Sequence, residues 1–267
     1  MYENKMEIVK KYAIEEEGRM LLARVLDKLE ESEQKNIAKS TKFLNEHQRA
    51  LVEKVIANIG NPRHLFFGGY NGASRSVLTF LPDYMSPEQI IEGDNRLLAF
   101  VRAEYTSDKT LSHRDFLGSL MGVGIQRETV GDILVGEYSC DIIVLKEILP
   151  YLLTNFESVG RVKVKTSMIT AEMLKVSEEK FVLVKDTVAS VRLDSVVSAG
   201  FAISREKASE YVKAGRVLLG FLECSKADKL VPEGEVITLR GMGKIRLEQI
   251  GHQTKKGRTS IVVKKYI

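Results

Sequence analysis

The sequence predicts an α+β protein built from three consecutive segments, and three observations support that prediction. The N-terminal part carries apolar residues at helical spacing and then a hairpin pattern. The middle alternates short apolar runs with helical patterns, and the last third joins two short helical patterns to strands punctuated by glycine. Periods of about 3.6 and 2 residues are the primary signals of helices and strands. We therefore expect domains over residues 1–82, 83–180 and 181–267.

The first segment is predicted to be a helical α/β unit that ends in a hairpin. One apolar stripe runs along Leu21–Leu29 and a second along Leu51–Ile59, each at the spacing of one helix face. Two short apolar runs, Leu65–Phe67 and Val77–Leu81, then flank the glycine-rich stretch Gly68–Gly72. Such runs around a glycine-rich turn are typical of a β-hairpin.

The middle segment has the order strand, helix, strand, strand, helix, strand. The predicted elements are Leu97–Tyr105, Arg114–Met121, Ile133–Val135, Cys140–Leu145, Lys146–Asn155 and Val162–Met168. This βαββαβ order is the ferredoxin-like plan that RNA-recognition motifs share. A sheet that reads RNA in that way exposes aromatic residues on its central strands. Here the third strand offers only Tyr138 at its edge, so we expect a structural or partner-docking role for this sheet.

The last segment has the charge expected of a nucleic-acid-binding module. From Lys185 onward, 16 basic residues stand against 9 acidic ones, a net charge of +7, whereas the rest of the chain has 24 against 27 and carries −3. A basic domain on a mildly acidic body is the electrostatic footprint of nucleic-acid binding. Its basic residues fall at helix starts and strand turns, where backbone amides and cations can meet phosphates together.

Five short motifs follow one another in this segment. They are Arg192-Leu193-Asp194, Ser204-Arg205-Glu206-Lys207-Ala208, Gly215-Arg216-Val217, Arg240-Gly241-Met242-Gly243-Lys244 and Thr254-Lys255-Lys256-Gly257-Arg258. This order resembles the S4 RNA-binding domain, a module of two helices and a hairpin. The resemblance implies that the helix after Ser204 faces RNA. The predicted RNA-binding residues are Arg192, Ser204, Arg205, Lys207, Lys213, Arg216, Arg240, Lys244, Lys255, Lys256 and Arg258.

Motifs in all three segments resemble the YlmH-type S4-domain proteins. The residues that carry this resemblance are Phe66–Tyr70, Ala73, Arg75, His113–Gly118, Gly124–Glu128, Gly131–Ile133, Ser190–Asp194 and Thr254–Arg258. The resemblance implies a bacterial RNA-binding protein that associates with the large ribosomal subunit through ribosomal RNA and peptidyl-tRNA. It implies a role in the rescue or quality control of obstructed subunits, with a further quality-control or division protein as a partner. A cell-division-associated regulatory protein, whose N-terminal region binds a protein partner, is the alternative.

Some short motifs resemble catalytic sites but lack the residues that would complete them. Arg192-Leu193-Asp194-Ser195 resembles the catalytic stretch of pseudouridine synthases, yet the residues after it are used by the S4 pattern. Asp194 is therefore interpreted as a structural carboxylate at a helix start. His113-Arg114-Asp115 has no accompanying glycine loop or magnesium-binding motif of a kinase. We expect a protein that is not an enzyme, and an RNA-modifying enzyme is the least supported alternative.

Ligand and membrane signals are also missing from the sequence. The four histidines lack metal-ligand spacing, and Cys140 and Cys224 are isolated. No apolar run approaches the roughly 18 residues that span a bilayer, and the N-terminus has no apolar signal core. We expect no cofactor, no metal, no membrane insertion and a cytoplasmic location.

Overall fold

A computed structural model describes residues 5–93, 96–107 and 110–267. The chain divides into two compact units, Met1–Ser177 and Glu178–Ile267. Helices and antiparallel sheets occur in both units, so the predicted α+β class is confirmed. The division that the sequence predicts at residue 82 lies within the first unit and stays a prediction.

The first part of the first unit combines helices with a small sheet. Its elements are α1 (Lys5–Tyr12), α2 (Glu16–Lys35), β1 (Lys39–Leu44), α3 (Glu46–Asn58), β2 (His64–Phe67), β3 (Ser76–Phe80) and α4 (Pro87–Ile91). The strands are antiparallel in the order β1-β3-β2, which confirms the predicted hairpin and adds β1 to it. The predicted stripe in α2 is the buried face of that helix, and Asn45 begins α3 with a capping box.

The second part of the first unit has the predicted ferredoxin-like topology. Its elements are β4 (Leu98–Glu104), α5 (His113–Gly122), β5 (Val130–Val135), β6 (Ser139–Leu145), α6 (Leu149–Asn155), β7 (Ser158–Val159), β8 (Val162–Lys163) and β9 (Lys165–Ile169). The antiparallel sheet has the order β5-β6-β4-β9. Two predicted bounds differ. Lys146–Ile148 is a 3₁₀ turn before α6, and Val162–Lys163 pairs with β7 instead of extending β9.

The two faces of this sheet are covered by different layers. One face packs against α5 and α6 through a core that includes Val101, Ile142 and Phe116. The opposite face, called the outer face here, packs against the three-stranded sheet β1-β3-β2, which we call the N-terminal sheet. Phe100 and Ile143 of the outer face share a core cluster with residues of β1 and β3. Aromatic stacking of bases requires an accessible ring, and Phe100 is buried.

Two glycines allow the close approach between these sheets. A Cβ atom on Gly69 would lie 2.8 Å from the ring of Phe100, and one on Gly131 would lie 2.7 Å from the ring of Phe43. Gly69 also has a φ of 103°, which L side chains rarely adopt. Gly69 of the Phe66–Tyr70 motif and Gly131 of the Gly131–Ile133 motif therefore let the hairpin turn and β1 pack directly on the ferredoxin-like sheet.

A polar network joins the same motifs. Asp132 on β5 is 9% exposed and accepts hydrogen bonds from the Tyr70 hydroxyl at 2.8 Å and from the backbone N–H groups of Ser74 and Arg75 at 2.8 and 3.1 Å. The Arg75 guanidinium donates to the carbonyl of Val130 at 2.9 Å. Burial lowers the pKa of Arg75 to about 10. The hairpin turn is thus fixed to the edge of the second sheet.

A short segment after β9, Ala171–Lys175, crosses the remaining outer face and is called the strap. Asp141 of β6, only 1% exposed, forms a bidentate ion pair with Arg102 of β4 at 2.7 and 2.8 Å. Arg102 donates to the carbonyl of Met173 at 2.6 Å, and Asp141 accepts from the backbone N–H of Lys175 at 2.8 Å. The hydrogen bond to Asp141 holds the pKa of Arg102 above its usual value. This buried pair therefore anchors the strap.

The second unit is a six-stranded antiparallel sheet with two helices on one face. Its elements are β10 (Phe181–Val188), α7 (Leu193–Phe201), α8 (Arg205–Lys213), β11 (Val217–Leu219), β12 (Leu222–Glu223), β13 (Val236–Leu239), β14 (Gly243–Gln253) and β15 (Thr259–Tyr266). The strand order is β10-β15-β14-β13-β11-β12. The predicted pair of helices followed by a hairpin is confirmed. A Cβ atom on Gly200 would lie 2.5 Å from Ile245, so α7 packs closely on the sheet.

Candidate nucleic-acid interface

The two helices of the second unit are joined by a turn that places basic residues at the start of α8. Ala202 adopts a left-handed conformation, and the Ile203 N–H donates to the Ser198 carbonyl, which ends α7. The Ser204 hydroxyl accepts a hydrogen bond from the Lys207 backbone N–H at 3.2 Å and caps α8. Arg205 and Lys207 therefore lie in the first turn, beside the positive end of the helix dipole, where anions bind favourably.

Arg205 makes a contact within the protein. Its Nε lies 2.9 Å from Oδ2 of Asp194, which is 8% exposed and also accepts from the Ser195 hydroxyl at 3.2 Å. The pair links the starts of the two helices. About half of the Arg205 side chain is still accessible, so the guanidinium has donors for a second partner.

Lys207, Tyr211, Arg216 and Arg240 form one cluster, called the aromatic–cation cluster. The Tyr211 ring lies 4.4 Å from the Arg216 guanidinium carbon and 5.8 Å from the Lys207 Nζ. Arg216 also donates to the carbonyl of Arg240 at 2.9 Å. Arg240 is exposed, and its nearest ionic partner, Glu223, is 3.9 Å away. These contacts place two predicted cations, Lys207 and Arg216, over one ring, with the backbone of Arg240 bonded to Arg216.

Gly215 makes this arrangement possible. Its N–H donates to the Val212 carbonyl, its φ is 68°, and a Cβ atom there would lie 2.6 Å from the Glu223 carboxylate. A residue in this conformation after a helix is most readily glycine. The glycine turns the chain from α8 into β11, and this turn places Arg216 over Tyr211.

The other predicted residues lie apart from this cluster. Arg192 is the exposed N-cap of α7, and Lys213 is exposed in the last turn of α8. Lys244 lies on β14 with its Nζ 4.7 Å from the Tyr266 ring. The structure therefore places these three on separate parts of the unit.

The turn between β14 and β15 carries Lys255, Lys256 and Arg258. The two lysines are exposed and have no hydrogen bond or ion pair among the residues that the structure describes. Arg258 differs, because its Nε donates to the Thr187 hydroxyl at 3.0 Å and its Nη2 to the Thr187 carbonyl. Arg258 thus ties the turn to β10, while the lysines are available for anions.

Sequence reasoning missed the aromatic members of these sites. Tyr211 fits the apolar stripe of α8 with Ala208 and Val212, and it packs partly against the core of the unit. Its separation of four residues from Lys207 could have indicated the contact, because residues four apart on a helix are neighbours. Tyr266 contacts Lys264 within β15, whereas its contact with Lys244 requires that β14 and β15 pair.

A metal-binding group of side chains and a membrane-spanning helix are two other kinds of functional feature, and the described residues of this chain form neither. Among residues 5–93, 96–107 and 110–267, no group of three or more His, Cys, Asp or Glu side chains is arranged to hold a metal ion. Within the same residues, none of the helices has both the length and the apolar character that crossing a membrane requires. The arrangement best suited to binding is the set of exposed cations on the second unit. Such cations bind phosphates through charge and hydrogen bonds.

The fold and this set of cations define an S4-domain protein, and the family model for the S4 domain matches residues 191–237. A second family model, described as "Putative RNA-binding domain in YlmH", matches residues 97–173. The Bacillus subtilis protein named ribosome-associated protein quality control protein P2 is 32% identical over 222 residues, which cover 82% of this chain and 83% of that protein. The chain belongs to the family of YlmH-type S4-domain proteins.

A solved structure shares part of the fold. It is named cell division protein ylmH from Streptococcus pneumoniae, and the match has a TM-score of 0.51 at 21% identity. It covers 61% of this chain and 98% of that one. At this level of identity the likeness concerns the fold alone.

Proposed function

We propose that this chain is a cytoplasmic RNA-binding protein without catalytic activity that associates with the large ribosomal subunit through ribosomal RNA and peptidyl-tRNA. In this proposal it acts in the rescue or quality control of obstructed subunits. The observation that carries the proposal is the aromatic–cation cluster of the S4 unit. The name of the B. subtilis relative, which links that protein to the ribosome and to quality control, supports the same setting here.

The cluster suits folded RNA for physical reasons. Its guanidinium groups offer planar sets of donors that match phosphate oxygens, and the Tyr211 ring holds one of them in place. Contacts to phosphates position a protein on RNA without reading its bases. A protein that binds ribosomal RNA by shape requires this kind of contact.

The experiment is co-sedimentation of the full chain with purified large subunits across a series of salt concentrations. The test variant carries Lys207→Gln, Arg216→Gln and Arg240→Gln. The control carries Lys185→Gln, Lys226→Gln and Lys229→Gln, which are exposed in the same unit and give the same change of net charge. We expect the test variant to dissociate at lower salt, with a slope of log affinity that falls by about 0.7 to 0.9 for each lost contact.

The outcome depends on comparison of the two variants. Equal loss in both would mean that only net charge matters, and the site assignment would fail. No association of the unaltered protein with subunits carrying or lacking peptidyl-tRNA would overturn the proposed function. Capture of a protein partner by the N-terminal region, without any association with subunits, would instead favour the regulatory alternative.

A further inference from the structure

The ferredoxin-like domain needs a different nucleic-acid surface from that of an RNA-recognition motif. Its outer face is occupied by the N-terminal sheet, which covers Phe100 and Ile143, and by the strap over Arg102 and Asp141. The Arg102–Asp141 pair is bidentate, with Asp141 buried and Arg102 partly buried. Removing either partner would leave the other without its ion pair, so the pair stabilises this cover. Bases therefore cannot stack on the central strands of this face, although its edge at Glu104 and Lys165 is exposed.

A row of cations lies along one side of this domain. Residues 161–165 alternate between apolar and basic side chains, and Val162 and Val164 pack against the core beneath α5 and α6. Arg161, Lys163 and Lys165, which we call the cation row, are exposed. Lys163 at the end of β8 and Lys165 at the start of β9 alternate with the two valines and so point away from the core, and Arg161 lies in the exposed turn between β7 and β8.

The cation row has charge that the described residues do not neutralise. None of its three side chains forms an ion pair or a hydrogen bond within the described part of the chain. The acidic residue opposite Lys165 in the sheet register is Glu104, so these four residues together carry +2. In contrast, Lys42 and Lys39 of the same unit are paired with Glu128 and Glu31.

The geometry of the row matches an extended polyanion. In extended backbone, side chains two residues apart are about 6.6 Å apart. Lys163 and Lys165 have this separation in sequence, and the spacing is comparable to that of successive phosphates along a nucleic-acid strand. In the described residues β9 pairs with β4 and forms one edge of its sheet. An edge strand presents backbone N–H groups that can also donate to phosphate oxygens.

We infer that Arg161, Lys163 and Lys165 bind the phosphates of an RNA strand, as a second RNA contact separate from that of the S4 unit. This inference rests on the proposed RNA-binding function. The row binds RNA of any sequence, because it offers charge and no base-reading groups. With this row, the domain at residues 97–173 can bind RNA without displacing the N-terminal sheet or the strap from its outer face.

The test uses the full chain with Arg161→Gln, Lys163→Gln and Lys165→Gln. The matched control carries Lys10→Gln, Lys11→Gln and Lys54→Gln, three exposed lysines of the same unit. Binding is measured by fluorescence anisotropy on protein-free RNA extracted from large subunits, fragmented and labelled, at several salt concentrations. We expect the salt slope of log affinity to fall by about 0.7 to 0.9 per lost contact in the row variant. The control should keep the slope of the unaltered protein, and the row variant should keep its thermal midpoint.

Each other outcome has a definite meaning. If the row variant and the control have the same slope, the inference is wrong, although the S4 variant described above can still lose binding. If the row variant binds free RNA normally but leaves large subunits at lower salt, the row contacts an acidic protein surface and the RNA assignment is overturned. If the unaltered chain binds neither RNA nor subunits, the proposed function itself fails.

Discussion

The guanidinium of Arg216 lies against the ring of Tyr211, with its central carbon 4.4 Å from the ring centroid. The two residues belong to different elements, α8 and the turn before β11. A cation above an aromatic face is attracted to it, and the contact restricts the rotamers of the arginine. Tyr211 therefore holds Arg216 in a conformation that presents its donors before any RNA arrives.

This contact leads to a prediction for Tyr211. Replacement by leucine keeps an apolar side chain against the core of the unit but removes the aromatic face. We expect weaker association with large subunits, because Arg216 then loses rotamer entropy on binding. The salt slope should stay unchanged, since no charge is lost. Tyr211→Phe keeps the ring and is the control, and equal affinity of the leucine and phenylalanine variants would contradict the role of the ring.

The turn at Thr254–Arg258 gives a second prediction that separates two kinds of basic residue. Lys255→Gln with Lys256→Gln should lower the salt slope of subunit binding and leave the thermal midpoint unchanged, because exposed charges contribute little to folding. Arg258→Gln should lower the thermal midpoint, since Arg258 donates to Thr187 of β10. Calorimetry and co-sedimentation measure the two effects. A double-lysine variant that binds like the unaltered protein would remove this turn from the interface.

The polar network around Asp132 predicts a graded loss of stability. Tyr70→Phe removes one hydrogen bond and should destabilise the first unit by about 1 kcal/mol. Asp132→Ala leaves two backbone N–H groups and the Tyr70 hydroxyl without an acceptor and should cost more, about 3 kcal/mol or above. Urea unfolding measures both. Tyr138→Phe, at an exposed tyrosine, is the control and should change stability little.

Sequence patterns predicted the elements of the first unit better than their packing. The buried faces of α2 and α3 and the βαββαβ order follow from periodicity, which is a local property. Strand β1 was not predicted because only its last two residues are apolar. The four residues before them, Lys39, Ser40, Thr41 and Lys42, are polar and give no alternating apolar pattern. The sequence predicted only that the sheet lacks exposed aromatic residues. It could not predict that the N-terminal strands cover the outer face, because the covering residues, such as Phe43, are far away in the sequence.

For the candidate RNA-binding site, too, the sequence predicted the residues better than their contacts. The cations of the S4 unit were predicted by residue type and order, and the structure brings Lys207 and Arg216 together over Tyr211, with Arg216 bonded to the Arg240 carbonyl. The sequence could not indicate that Arg205 pairs with Asp194 or that Arg258 bonds to Thr187, because both partners depend on tertiary contacts. These contacts divide one predicted set of basic residues into residues that stabilise the fold and residues open to a ligand.

Thiol chemistry provides a prediction about the ferredoxin-like sheet. Cys140 is fully buried, and burial raises the pKa of its thiol well above the usual range. The thiolate is the reactive form, so Cys140 should resist iodoacetamide at pH 8 and react after unfolding in urea. Mass spectrometry of the Cys224→Ala variant reports on Cys140 alone. Rapid alkylation in the absence of urea would show that the sheet opens readily.

The close contact between Gly131 and Phe43 has a consequence for how relatives of this chain diverge. A Cβ atom at position 131 would lie 2.7 Å from the Phe43 ring, so alanine is tolerated there only if position 43 becomes smaller. The reverse change, a small residue at 43 beside a glycine at 131, leaves a cavity in the core. Selection for stability should therefore make the two positions change together across the family, although 87 residues separate them in the sequence.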